Sequence, residues 1–408
     1  MTSSESQERE SAFDFLFLPF RACLILRRAR IITVEPAFLL FMWARHLYLP
    51  LYEQYYYVHY GTQILQNTSF PFPNGTFCLN STDVDTYAGN GSFKFVETAS
   101  NNLVVYGQIA NRIPSIIASI IFGPLSDRFG RKPFLVLIGT GTALQGSLAL
   151  VTVYFQWSPY YFIIGHFISG AMGDFPGILT TGLSYIADIS SKRWRGLRIG
   201  IIEAVSGIGA ALGPILVGMW LQRNSCDFIP VLGFYTASSA AVALYCLFCI
   251  PESLTKSERE VITVNNPKGC KSLIRGIKIY FGFVPEYSAW RLWIAFFVNN
   301  LLILIGAGAI FLAVYFLKAP PFDLDAQAVG IYQSVQCLSR GMANVVLMGI
   351  FSAIQMPEAV IALIAMLFNS GCNLLTGLSR KVYQVYAGKA LPTVQLRVTD
   401  ACKIMYLF

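Results

Sequence analysis

Charge is what this sequence lacks most. Of its 408 residues only 13% are Asp, Glu, Lys or Arg, against 55% hydrophobic. Soluble domains carry roughly a quarter charged residues, so a chain this poor in charge does not cover a soluble surface of its size. Histidine is scarce as well, with only His46, His59 and His166. The nine cysteines are scattered, and the CxxC at Cys246 and Cys249 sits inside an apolar run with no second pair after it. That pattern argues against zinc, and no metal site is assigned. Phosphate-binding glycine loops, dinucleotide fingerprints and nucleophile elbows are also missing. No catalytic residue is assigned, and the chain is not read as an enzyme. The acidic start does not fit a signal peptide.

Long apolar runs are what the sequence has in their place. Nine reach the roughly 20 residues that cross a bilayer core of about 30 Å. They fall at 32–58, 101–124, 134–155, 160–186, 198–221, 229–250, 292–317, 327–351 and 357–379. Many Tyr and Trp residues stand at run ends, as in an interfacial belt. The expected fold class is all-α transmembrane. Residues 1–31 read as a cytoplasmic N-terminus with a short amphipathic segment. Residues 32–250 read as a six-helix bundle with a long external loop, 59–100. Residues 251–291 read as a cytoplasmic linker, 292–379 as a partial second bundle, and 380–408 as an atypical tail without a spanning run.

The formal net charge is +8, and its placement explains it. Arg27, Arg28 and Arg30, then Arg128, Arg131 and Lys132, then Lys192, Arg193, Arg195 and Arg198 share one side with the basic linker. The opposite loops hold little more than Lys94, Arg223 and Lys318. Loops rich in Lys and Arg stay in the cytoplasm. The surplus is a topological signal, so the lipid bilayer is the expected partner and nucleic acid is not. On the external side, Asn67, Asn74, Asn80 and Asn90 each open an N-x-S/T sequon and are expected glycosylation sites. Cys78 and Cys226 lie on that oxidising side, either as a disulfide or as two free thiols.

Between the second and third runs the chain reads Gly123-Pro-Leu-Ser-Asp127-Arg128-Phe-Gly130-Arg131-Lys132-Pro133. The glycines permit a tight turn, and Asp127 at a helix end can pair with basic groups. The segment matches G-x-L-x-D-R-x-G-R-K and resembles the signature of the major facilitator superfamily. That resemblance implies two six-helix halves around a central site. It also implies a latch between the halves, carried by Gly123, Asp127, Arg128, Gly130 and Arg131. Three helices of such a fold are missing after residue 380, so the second bundle is expected to be C-terminally truncated.

Carboxylates inside a span are costly unless they face a cavity or a partner. Asp174 and Glu203 are in that position. Arg45, Arg112 and Arg340 are intramembrane cations that bind an organic anion or serve as internal ion-pair partners. His166, two turns before Asp174, is expected near the same face. Val34-Glu35-Pro36, Pro50-Leu51, Gln54-Tyr55, Gly173-Asp174-Phe175, Ala187-Asp188-Ile189-Ser190-Ser191 and Arg198 to Glu203-Ala204 add a narrower likeness. Together they resemble the solute carrier 46 family, which includes proton-coupled folate transport, over about residues 34–222.

The resemblance implies a small-molecule substrate, no cofactor and a proton gradient as energy source. It implies proton coupling at Glu203 and a substrate or structural role for Asp174. The expected location is the plasma membrane, with an endolysosomal membrane as alternative. Leu304 to Gly308 lacks the family's His, and Asp323 stands where the family has Cys; both weigh against folate itself. Gly209-x-x-x-Gly213-Pro214 resembles a motif of proton antiporters for drugs and also suits close helix packing. The expected function is proton-coupled symport of an organic anion such as folate or a related heterocycle. The alternatives are a proton-coupled exporter and a truncated, non-transporting isoform.

Overall fold

A computed structural model describes residues 34–67, 91–191, 194–224, 227–255 and 358–381, with isolated positions between 257 and 356 and at 384–385. Every regular element among the described residues is helical, as lipid requires of a chain that must pair its own backbone. In chain order they are α1 (Glu35–Asn67), α2 (Gly91–Phe129), α3 (Lys132–Tyr154), α4 (Tyr161–Ala171), α5 (Asp174–Ile189), α6 (Arg195–Arg223), α7 (Ile229–Phe248) and α8 (Glu358–Leu378). Five described segments are long and apolar enough to cross a membrane: Thr98–Phe129, Lys132–Tyr154, Tyr161–Ile189, Arg195–Leu221 and Ile229–Phe248.

Three expected boundaries change. The first helix runs on to Asn67 and the second begins at Gly91, so the loop expected over 59–100 is helical at both ends. Asn67 closes α1; Asn74, Asn80 and Asn90 lie outside the described residues, as do Cys78 and Cys226. The signature segment was expected between helices, yet Gly123 to Phe129 forms the last two turns of α2. Only Gly130 and Arg131 make the turn into α3. Finally, the helix expected over 160–186 is two helices. Gly173 takes φ +104° and Asp174 φ +35°, which ends α4 and restarts the chain as α5.

Helices α1 to α7 pack as one bundle. α1 lies against α2, α6 and α7, α3 lies against α4, α5 and α7, and α2 covers α4 and α5. Small residues permit close approaches between helices. A Cβ on Gly139 would stand 2.8 Å from the backbone nitrogen of Ala243, and one on Gly209 2.8 Å from that of Trp43. The interior divides into two apolar clusters. One gathers Phe38, Phe41, Phe134, Ile138, Tyr185 and Val242 near the α2–α3 turn. The other gathers Leu51, Tyr52, Tyr56, Phe162, Val217 and Leu232 toward the opposite end. On the outer face of the described bundle, Ile113, Ile116, Ile117 and Ile120 of α2 are exposed.

Candidate functional site

Polar residues interrupt the apolar interior between the two clusters and line a cavity of about 320 Å³. Each helix of the bundle except α6 supplies part of its wall. α1 gives Arg45, His46, Tyr48 and Tyr52, and α2 gives Gln108, Asn111 and Arg112. α3 gives Gln145, α4 His166, α5 Asp174 and Phe175, and α7 Tyr235. Of the residues singled out from sequence, Arg45, Arg112, His166 and Asp174 therefore meet. Glu203 does not join them: it is half-buried on α6, away from the cavity lining. Arg340 lies outside the described residues.

The central contact is an ion pair. Arg45 Nη1 donates to Asp174 Oδ2 at 2.7 Å, and the guanidinium lies 4.9 Å from the centroid of Phe175. Asp174 occupies the first turn of α5, where a helix N-terminus favours negative charge. The break between α4 and α5 places it there. A non-glycine residue held at positive φ is strained, and such strain gathers at functional sites. Discontinuous helices near mid-membrane mark binding sites in transporters.

Arg112 has a weaker hold. Its Nε donates to Gln108 Oε1 at 3.3 Å, and Gln108 Nε2 in turn donates to the Tyr52 hydroxyl at 2.6 Å. Among the described residues no carboxylate forms an ion pair with Arg112. Two guanidinium groups thus face one carboxylate.

His166 is fixed from one side. Tyr235 Oη donates to Gln145 Oε1 at 3.2 Å, and Gln145 Nε2 lies 2.9 Å from His166 Nδ1. Asn111 Nδ2 holds the His166 carbonyl at 3.2 Å. Tyr52 meets the imidazole edge-on, with ring centroids 4.9 Å apart. Tyr48 stacks on Tyr235 at 4.4 Å. Buried aromatic faces beside cations and amides suit a flat, negatively charged ligand. Gln145, Gln108, Tyr48 and Tyr235 were not singled out from sequence. A lone amide or phenol within an apolar run carries no signal until the fold shows what it bonds.

A second polar cluster sits at the α2–α3 turn, the end expected in the cytoplasm. Arg131 pairs with Asp127 one helical turn earlier, reaches Asp188 Oδ2 at 3.2 Å and donates to Ser126 Oγ at 2.6 Å. Its backbone N–H donates to Glu252 Oε1 at 2.8 Å. Gly130 takes φ +103°, and a Cβ there would run into the Glu252 carboxylate. Ser253 Oγ donates to Asp188 Oδ2 at 3.0 Å. Nearby, Arg198 Nη2 holds Glu35 Oε1 at 2.7 Å, joining the starts of α1 and α6. Of the expected latch residues, Asp127, Gly130 and Arg131 enter this cluster directly. Arg128 lies 5.6 Å from the ring of Phe129, and Gly123 has open space around it. Glu252, which the sequence placed in a linker, is a partner found only by the fold.

The model of the Major Facilitator Superfamily matches residues 36–382. The chain belongs to the major facilitator superfamily. It is 26% identical over 307 residues to the proton-coupled folate transporter of Rattus norvegicus, covering 75% of this chain and 63% of that one. It is 23% identical over 297 residues to the lysosomal proton-coupled steroid conjugate and bile acid symporter SLC46A3 of Gallus gallus, covering 71% of this chain and 62% of that one. The chain thus spans about three fifths of the length of these curated relatives. The crystal structure of the human organic anion transporter MFSD10 (TETRAN) shares the fold, with a TM-score of 0.56 at 16% identity over 88% of this chain and 83% of the other. This is a multi-pass membrane protein of a transporter superfamily, and it is not an enzyme.

Proposed function

We propose that the chain is a symporter that carries an organic anion together with protons, using no cofactor beyond the proton gradient. One observation carries the reading: among the described residues, the aromatic-lined cavity sets Arg45 and Arg112 against the one carboxylate of Asp174. The surplus cation attracts an anion, and the stacked phenols accept a flat ring system. The relatives handle folate, steroid conjugates and bile acids by name; folate fits the flat-ring description, and the steroid compounds share with it an anionic group on a ring system. The α2–α3 cluster closes the cytoplasmic end of the bundle and acts as the latch. Glu203 is the coupling carboxylate that the family resemblance points to, acting from α6. The plasma membrane is the proposed location, with Asn67, Asn74, Asn80 and Asn90 glycosylated outside.

The test is uptake of tritiated folic acid and tritiated taurocholate by cells expressing the chain. Uptake of at least one probe is expected to be higher at pH 5.5 than at 7.4. Arg112→Gln is expected to lower it about tenfold or more, the loss of a charge-assisted contact of about 1.5–3 kcal/mol. Uptake equal to that of empty-vector cells for both probes at both pH values would sink the proposal.

A further inference from the structure

We infer that Arg112 receives the anionic group of the substrate on the two Nη nitrogens of its guanidinium, and that Gln108 and Tyr52 are positioning residues that hold this edge free for it. The inference rests on the organic-anion reading of the cavity and deepens it.

Tyr52 is the fixed point. It is buried, and its ring is held among Tyr48, Tyr56 and His166, with centroids 5.1, 5.5 and 4.9 Å away. A ring packed on three sides fixes where its hydroxyl lies. That hydroxyl accepts from Gln108 Nε2 at 2.6 Å, which decides the way the Gln108 amide faces. With the amino end on Tyr52, the carbonyl end meets Arg112, whose Nε donates to Gln108 Oε1 at 3.3 Å. The reversed amide would set its own N–H donors against a guanidinium that has only donors. Gln108 and Arg112 stand four residues apart on α2, so one helix face carries both.

Arginine offers an anion two edges: Nε with one Nη, or the two Nη nitrogens together. Gln108 occupies Nε of Arg112, which leaves the end-on edge. Two oxygens of one carboxylate or sulfonate group fit that edge through parallel N–H bonds. Arg45 is less ready for the same task. It already holds Asp174 at 2.7 Å, so an anion arriving there has a carboxylate to displace. Arg112 has none to displace among the described residues. Tyr52, Gln108 and Arg112 all line the cavity, so the anion and the groups that set its holder share one wall.

The experiment measures binding of tritiated folic acid and tritiated taurocholate to the purified full chain by scintillation proximity, with thermal unfolding as the check on folding. Gln108→Leu is expected to weaken binding about fivefold, the effect of one ordinary hydrogen bond. In an Arg112→Gln background the same change is expected to add nothing, because no fork is left to hold. Arg112→Lys keeps the charge without the fork and is expected to bind within about threefold of Arg112→Gln. Parent-like binding in Gln108→Leu, an equal loss with and without Arg112, or full recovery in Arg112→Lys would each overturn the inference. If neither probe binds the parent chain, the organic-anion reading fails and this inference with it; if a probe binds the parent and one of those three results appears, the inference alone fails. If Gln108→Leu does not fold, Tyr52→Phe decides in its place, since it removes the hydroxyl and keeps the ring. A loss of about two- to threefold that appears only with Arg112 present supports the inference, and no loss, or a loss in both backgrounds, overturns it.

Discussion

Arg131 and Arg45 each hold a carboxylate, but in opposite fashion. The Arg131 guanidinium is engaged on three sides, by Asp127, Asp188 and Ser126, and its side chain is 9% exposed. Arg45 reaches Asp174 through one nitrogen and keeps the rest toward a cavity. Several bonds to one group resist any single competitor, because losing one leaves the others in place. A single bond to an accessible group is open to exchange. The α2–α3 cluster is therefore built to hold a conformation, and the cavity pair is built to change partners.

The largest expected effect tests the closed end. Arg131→Ala leaves Asp127 and Asp188 without their shared cation and is expected to lower stability by about 3 kcal/mol, since several charge-assisted hydrogen bonds are lost while the 45% exposed Asp127 stays solvated. Thermal unfolding in detergent reads this. Arg131→Lys should recover less than half, because an ammonium group does not serve three partners in the fork geometry of a guanidinium. A melting point unchanged in Arg131→Ala would erase the contrast between the two sites.

Arg45→Gln comes next, at about 2–3 kcal/mol, since Asp174 keeps the support of the α5 N-terminus. The double variant Arg45→Gln with Asp174→Asn should regain most of the loss, giving a coupling within the range of contacting residues, about 0.5–3 kcal/mol. Additive losses in that cycle would show that the pair does not act as a pair. Gly130→Ala is the smallest, at about 1–3 kcal/mol from positive-φ strain together with the clash against Glu252. The same melts, run beside Gly123→Ala as a neutral comparison, separate conformational strain from general loss of helix packing.

Much of this was legible in the sequence, for identifiable reasons. Run length and loop charge report directly on a bilayer, so helices matching α1 to α7 could be anticipated from the chain alone, apart from the break between α4 and α5. The signature from Gly123 to Pro133 names its own turn, because Gly130 is needed at φ +103° and Pro133 opens α3. Asp174, Arg45, Arg112 and His166 stood out because charge and imidazole are rare in apolar runs. The break at Gly173 did not stand out. Apolar sequence runs on both sides of it, and although Gly170, Gly173, Pro176 and Gly177 stand close together, glycine and proline are common in membrane helices, so their presence does not say which of them takes positive φ. Glu252 was hidden for a different reason. It lies in a polar stretch where one more carboxylate is unremarkable, and only the fold of α7 brings it back to Arg131. Gln145 and Tyr235 belong to the same class, since their meaning lies in a contact across helices.

The glycine seam between α3 and α7 has a consequence for biogenesis. Gly139 lies against Ala243, and Gly146 against Tyr235 and Thr236, so these faces fit one another. Yet α4, α5 and α6 are synthesised between them. During translation α3 must wait in the lipid with its bare seam uncovered until α7 leaves the ribosome. A chaperone or insertase that shields small-residue helix faces would act during that interval, and a chain ended before residue 229 would lack the α3–α7 joint.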